Sequence, residues 1–189
     1  MKEKIKAIIN ESIKSKEALL RNESILIIEK IAGAIAEAVK KRCKIIIFGN
    51  GGSAADSQHI AAELVGRFKK ERRPFPAIAL TVNTSAITAI SNDYGYELSF
   101  ARQLEAIAGR GDVAIGISTS GNAKNVMEAV SKAKKMGLLT IGLTGQGGGE
   151  LAKIADIVLK VPSDNTPRIQ EMHITVGHII CELVEEALS

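Results

Sequence analysis

The spacing of apolar positions changes once along the chain. From about Lys4 to Arg42 they recur at helical period with a break at Arg21-Asn22, which predicts two helices with Asn22 as the cap of the second. Five short, almost wholly apolar runs follow: Lys44 to Phe48, Ala77 to Leu80, Val113 to Ile117, Leu139 to Leu143 and Ile157 to Val161. Runs of this kind read as strands buried on both faces, and enough chain separates each from the next for the crossover helix that parallel pairing requires. Gly109 and Gly137 stand where such helices should stop, Pro162 closes the fifth strand, and Pro167 suits the first turn of a last amphipathic helix ending near Leu188. The pattern predicts an α/β fold over residues 1–189. Its core is a doubly wound, five-stranded parallel sheet of flavodoxin-like order 2-1-3-4-5 spanning 44–189 with the C-terminal helix, and residues 1–43 form an N-terminal helical extension.

Composition narrows this picture. The 189 residues fit one domain, and with only 3% aromatic residues and no Trp the core must be built from Ile, Leu, Val and Ala. The net charge of +4 is concentrated in Lys69-Lys70-Glu71-Arg72-Arg73 and in scattered lysines before Lys44. No aromatics interleave with them, so the run reads as a solvated face and no nucleic-acid partner is expected. Cys43 and Cys181 have neither disulfide-framework nor metal spacing and read as reduced thiols of a cytoplasmic protein. No apolar run reaches the roughly 18 residues of a membrane span, and the lysine- and acid-bearing N-terminus is unlike a signal peptide. The Ile- and Leu-rich extension exceeds what one small sheet needs to cover it, which predicts a homo-oligomer assembled through residues 1–43.

The chemistry begins at Phe48-Gly49-Asn50-Gly51-Gly52-Ser53, where a glycine-rich turn links the first strand to a helix carrying His59 and, one turn later, Glu63. Such a turn brings backbone N–H groups close to an anion at a helix N-terminus. Gly49, Gly51 and Ala54 satisfy the spacing of a dinucleotide fingerprint, but the second strand ends Leu80-Thr81-Val82-Asn83 without the acid that would hold a ribose, and no Gly-Lys-Ser/Thr marks a P-loop. A second polar turn, Ser118-Thr119-Ser120-Gly121-Asn122, follows the third strand. In the order 2-1-3-4-5 the ligand crevice lies between strands one and three, so both turns should face one phosphate-bearing ligand.

Gly49 to Ser53, Ser118 to Asn122, and Arg168-Ile169-Gln170-Glu171 with His178 together resemble the sugar isomerase (SIS) domain family, and within it the phosphoheptose isomerases; the likeness spans essentially the whole chain. The resemblance implies an aldose–ketose isomerase acting on D-sedoheptulose 7-phosphate to give D-glycero-D-manno-heptose 7-phosphate, an early step towards the heptose of lipopolysaccharide or other glycans. It further implies a cytoplasmic homotetramer with active sites assembled from several subunits, and an enediol mechanism with Glu63 as base and His178 as acid. A zinc ion held by His59, Glu63, Gln170 and His178 is implied as well. Sugar-phosphate contacts fall on Asn50, Gly51, Gly52, Ser53, Glu63, Asn92, Asp93, Ser118, Thr119, Ser120 and Gln170. Arg67, near the end of the Glu63 helix, either pairs with phosphate or is solvated. Where the family commonly has one more serine after the second turn, this chain has Ala123, which removes a hydroxyl donor to phosphate. Two other readings stay open: a non-catalytic SIS protein that binds the replication initiator, and an isomerase of another sugar phosphate.

Overall fold

The computed structural model describes residues 1–189. Five parallel strands, β1 (Ile45–Gly49), β2 (Ala77–Ala79), β3 (Val113–Ile117), β4 (Leu139–Thr144) and β5 (Ile157–Lys160), form one sheet of order β2-β1-β3-β4-β5. That is the order expected, and the strand limits shift by no more than a residue. The helices are α1 (Lys2–Glu17), α2 (Asn22–Lys40), α3 (Gly52–Val65), α4 (Thr84–Tyr94), α5 (Ala101–Ile107), α6 (Lys124–Lys135), α7 (Leu151–Ile154) and α8 (Thr166–Leu188), with short 3-10 turns at Ala18–Leu20 and Tyr96–Leu98.

Alternation along the strands divides the core into two layers. Ile45, Ile47, Val113, Ile115 and Ile117 face α2, α3 and α8, joining Ile31, Ile35, Leu64, Val176 and Val184. Ile46, Phe48 and Ala114 face the opposite layer, with Phe100, Leu104, Val126, Val130 and Leu151. Helix α2 is thus one of the sheet's covering helices and no surplus, which narrows the expectation for residues 1–43. Within residues 1–43 it is α1 that buries nothing, and it leaves Ile5, Ile8, Ile9 and Ile13 exposed. Asn22 does not cap α2: the extended residue at that helix start is Arg21, and no side chain caps it. The break between the helices comes instead from the 3-10 turn and the extended backbone of Arg21.

The charged run after α3 is also not uniformly solvated. The Arg72 side chain is 4% exposed and ion-paired to Glu185, itself 1% exposed, because the segment folds back beneath α8. Both cysteines are free; Cys43 is half-buried and Cys181 buried.

Candidate active site

The glycine turn connects β1 to α3. Gly51 has φ +57° and ψ −121°, a backbone conformation open to glycine and strained for an L side chain. Within the turn Ser53 N–H donates to the Asn50 carbonyl, and Ala54 and Ala55 N–H to that of Gly51, so the N–H groups of Gly51 and Gly52 are left without an intrachain partner. Asn50 is fixed from the side by buried Asn125 of α6. The two amides exchange hydrogen bonds of 2.8 and 2.9 Å, and the Tyr96 hydroxyl donates to Asn50 Oδ1 at 2.8 Å.

The turn after β3 is braced from behind. Gly145 N–H donates to the Thr119 carbonyl at 3.0 Å, Glu150 N–H to Asn122 Oδ1 at 3.0 Å, and Leu151 N–H to the Gly121 carbonyl at 2.9 Å. Gly145, Glu150 and Leu151, which flank the Gln146–Gly149 stretch, thereby support the polar turn. Between the two turns lies a cavity of about 130 Å³ lined by Asn50, Ser53, Ser118, Thr119, Ser120, Ala123 and Gln170. Both turns do meet at the carboxyl ends of β1 and β3.

Helices α3 and α8 run side by side in the same direction. A Cβ at Gly52 would collide with the Gln170 amide, one at Gly177 would collide with Ile60, and Phe68 N–H, just past α3, donates to Glu185 of α8. This register brings His59 Nε2 to 2.8 Å from His178 Nε2 and 3.4 Å from Glu63 Oε1. The Phe68 ring stacks on His178 with centroids 5.7 Å apart. Gln170 faces α3 as expected, but its amide lies at the first turn of that helix, seven residues before His59 and so about 10 Å along the axis.

Other expected residues stay outside this seam within one chain. Arg67 is 62% exposed and pairs with Glu71 at 3.8 Å. Asn92 and Asp93 lie in the last turn of α4, where Asn92 Nδ2 donates to Asp93 Oδ1. Arg168 is buried against α1, donating to the Ile8 carbonyl and pairing with Glu171.

Residues 9–145 match the SIS domain family. The phosphoheptose isomerase of Aquifex aeolicus is 58% identical over 98% of this chain and 97% of its own length. That of Nitratiruptor is 64% identical over 80% and 81%. The solved phosphoheptose isomerase of Neisseria gonorrhoeae superposes with a TM-score of 0.92 at 40% identity, covering 98% of both chains. The chain belongs to the SIS family of phosphoheptose isomerases. It is a phosphosugar isomerase.

In this phosphosugar isomerase the electrostatics of the seam are set by burial. Asp56, one turn before His59, has its carboxyl pushed up to about 6 by burial, against the opposing influence of His59, and its Oδ2 has no partner. Cys181 lies near Glu63; burial first, then the Glu63 charge, push its thiol up to about 12, so it stays a neutral thiol. The donors His59, Glu63 and His178 have the chemistry of a zinc site, two imidazoles and a carboxylate. Their spacing is not preassembled: 2.8 Å between the nitrogens is shorter than the roughly 3.3 Å edge that Zn–N bonds of about 2.0–2.1 Å impose on a tetrahedron. A small separation of the two rings would admit the ion, so the residues fit it.

The sequence reading missed Asn125. Its signal was present: in α6 the buried positions Val126, Ala129, Val130 and Ala133 form the core stripe, and Asn125 is the polar residue on that buried side.

Proposed function

We propose that this isomerase interconverts D-sedoheptulose 7-phosphate and D-glycero-D-manno-heptose 7-phosphate, supplying heptose for lipopolysaccharide or another glycan from the cytoplasm. The observation that carries the reading is the single seam between α3 and α8: a phosphate-type turn opens it, and Glu63 and His178 lie further along it.

The chemistry follows from that order. With the phosphate on the free N–H groups of Gly51 and Gly52 and the hydroxyls of Ser53, Ser118, Thr119 and Ser120, the sugar extends along the seam towards Glu63. Glu63 removes the proton from C1 of the ketose while His178 protonates the C2 oxygen, giving the enediol. Glu63 then returns a proton to C2 as His178 takes one from the C1 hydroxyl, and the aldehyde forms with no net gain or loss of atoms. Phe68 and the apolar wall at Ile60 and Cys181 exclude water from one side. His59, Glu63 and His178, with Gln170 as the fourth donor that the family resemblance implies, would hold a zinc ion, which would supply Lewis-acid polarisation of the carbonyl.

The active unit is an oligomer of identical chains, a tetramer by family resemblance, assembled through α1. Its exposed Ile5, Ile8, Ile9 and Ile13 form an apolar stripe, and next to it Leu19, Leu20, Ile25, Ile28, Ile179 and Leu183 line an apolar groove of about 570 Å³. A second copy of the chain is the occupant that matches both, and light scattering of the purified protein measures it.

The deciding experiment is turnover of purified protein with sedoheptulose 7-phosphate, followed by product identification. Formation of the aldoheptose phosphate supports the assignment. Inactivity there with rapid turnover of fructose 6-phosphate moves it to another sugar, and inactivity with both favours a binding role.

A further inference from the structure

Glu185 lies two helical turns beyond His178 on α8, and no step of the reaction uses it. Its carboxylate is 1% exposed and fully occupied. Phe68 N–H donates to Oε1 at 3.0 Å, Lys69 and Lys70 N–H to Oε2 at 2.7 and 2.9 Å, and Arg72 Nε to Oε1 at 2.9 Å. Three consecutive backbone N–H groups converging on one point form an anion nest, here filled by the protein's own carboxylate. Burial pushes that carboxyl up, but the bonds from Lys69, Phe68, Lys70 and Arg72 outweigh it and hold the group at about 2, so it stays charged.

Arg72 extends the arrangement to the helix that carries Glu63. Its guanidinium donates to the carbonyls of Glu63 at 2.9 Å, Leu64 at 3.0 Å and Gly66 at 3.2 Å, satisfying the open C-terminal end of α3, and it lies over the Phe75 ring at 3.8 Å. The bonds in this cluster thus join the two helices bearing Glu63 and His178. They also hold the backbone of Phe68, whose ring rests on His178.

We propose that Glu185 is a positioning residue of the isomerase: through Arg72 and the Phe68–Lys70 backbone it fixes the register of α3 against α8 and seats the Phe68 ring on His178. A purely structural ion pair would not need to gather the Phe68 N–H and the Glu63 carbonyl into one cluster. The inference rests on the roles proposed for Glu63 and His178, but its geometric content does not.

The test separates the two. The chain has three histidines, so the His178 Cε1–H resonance is assignable with H59Q and H178Q and can be read without substrate. Glu185→Gln keeps the shape but removes an acceptor, and Phe68→Ala removes the ring while leaving its N–H in the nest. Both should move the His178 resonance in the same direction. Both should lower kcat per folded molecule by about 10–100-fold with little change in KM, and the double variant should lose no more than the worse single one. A folded E185Q protein with an unmoved resonance, or kcat losses that multiply in the double variant, would overturn the proposal. If E185Q does not fold, Arg72→Lys takes its place, keeping the charge without the fork, and is read by the same two criteria. If E63Q and H178Q keep wild-type turnover, the acid–base reading fails, while the resonance shift still decides the positioning role.

Discussion

His59 and His178 meet nitrogen to nitrogen across the α3–α8 seam, 2.8 Å apart and with ring planes at 63°. Without a cation between them, one ring must donate its N–H to the lone pair of the other, and Glu63 at 3.4 Å completes a triangle of donors. Zinc-equilibrated protein should therefore retain about one zinc per chain after desalting. H59Q and H178Q should each lose it. Elemental analysis checks this: zinc kept in both variants at the level of the unmodified protein, or none in the unmodified protein, removes the metal from this site. Full activity after chelation would leave it without a part in the rate.

Glu63→Gln and His178→Gln each keep the size of the side chain and abolish its proton transfer. Each should lower kcat by about 10²–10⁴-fold, the range typical of general acid–base groups, while sugar-phosphate affinity measured by calorimetry changes little. Near-wild-type turnover in either variant withdraws the role given to that residue.

Ala123 sits at the N-cap position of α6 and lines the 130 Å³ cavity, with no side-chain capping bond. Ala123→Ser adds one hydroxyl to the phosphate turn, and a hydrogen bond to a charged group is worth about 1.5–3 kcal/mol. The KM for the sugar phosphate should fall by about tenfold with kcat nearly constant. In the unliganded protein the same hydroxyl caps α6 and should raise stability by about 0.5–2 kcal/mol. An unchanged KM would mean that the phosphate does not reach this end of the cavity.

These expectations began in the sequence, and its legibility had physical limits. The five apolar runs, the sheet order and the meeting of the two polar turns were readable because period and turn chemistry are local properties. Residue Arg72 was misread because the surface position of a charge run is decided by a partner, Glu185, that lies 113 residues away. The support given by Gly145 and Glu150 to the second turn was invisible for the same reason, since a backbone bond leaves no mark on side-chain pattern. The resemblance implies Gln170 beside His59, but the parallel register of α3 and α8, which sets its amide beside Gly52, follows from packing at Ile60 and Gly177.

Asn125 offers a test of the missed network. Its amide supplies two of the three bonds that fix Asn50, and it is 3% exposed. Asn125→Leu should free the Asn50 side chain and leave the Tyr96 hydroxyl as its one partner. The KM for sugar phosphate should rise by about tenfold or more, and unfolding free energy should fall by about 1–3 kcal/mol, the cost of a buried polar group left unpaired. A loss of stability with an unchanged KM would show that Asn50 does not hold the substrate.

His173 predicts how stability depends on pH. It is fully buried in α8, its Nε2–H donates to the Thr144 carbonyl at 3.2 Å, and its Nδ1 has no partner. Burial lowers its pKa to about 4 from the ordinary 6.5, with the Thr144 bond opposing. The folded protein therefore resists a proton that the unfolded chain accepts, so the contribution of neutral His173 is fully present above pH 6.5. It is lost as the pH falls towards 4, by roughly 3 kcal/mol in all. Asp56 acts in the opposite sense: its raised pKa makes the folded state gain stability as pH falls from about 6 towards 3.8, which flattens the wild-type profile. Denaturant titrations at several pH values isolate the histidine. His173→Gln keeps a donor for Thr144 but cannot be protonated, so its stability relative to wild type should improve steadily from pH 7 to pH 4. Parallel profiles for the two proteins would mean that His173 takes up its proton in the folded state, and that the α8–β4 interface opens to admit it.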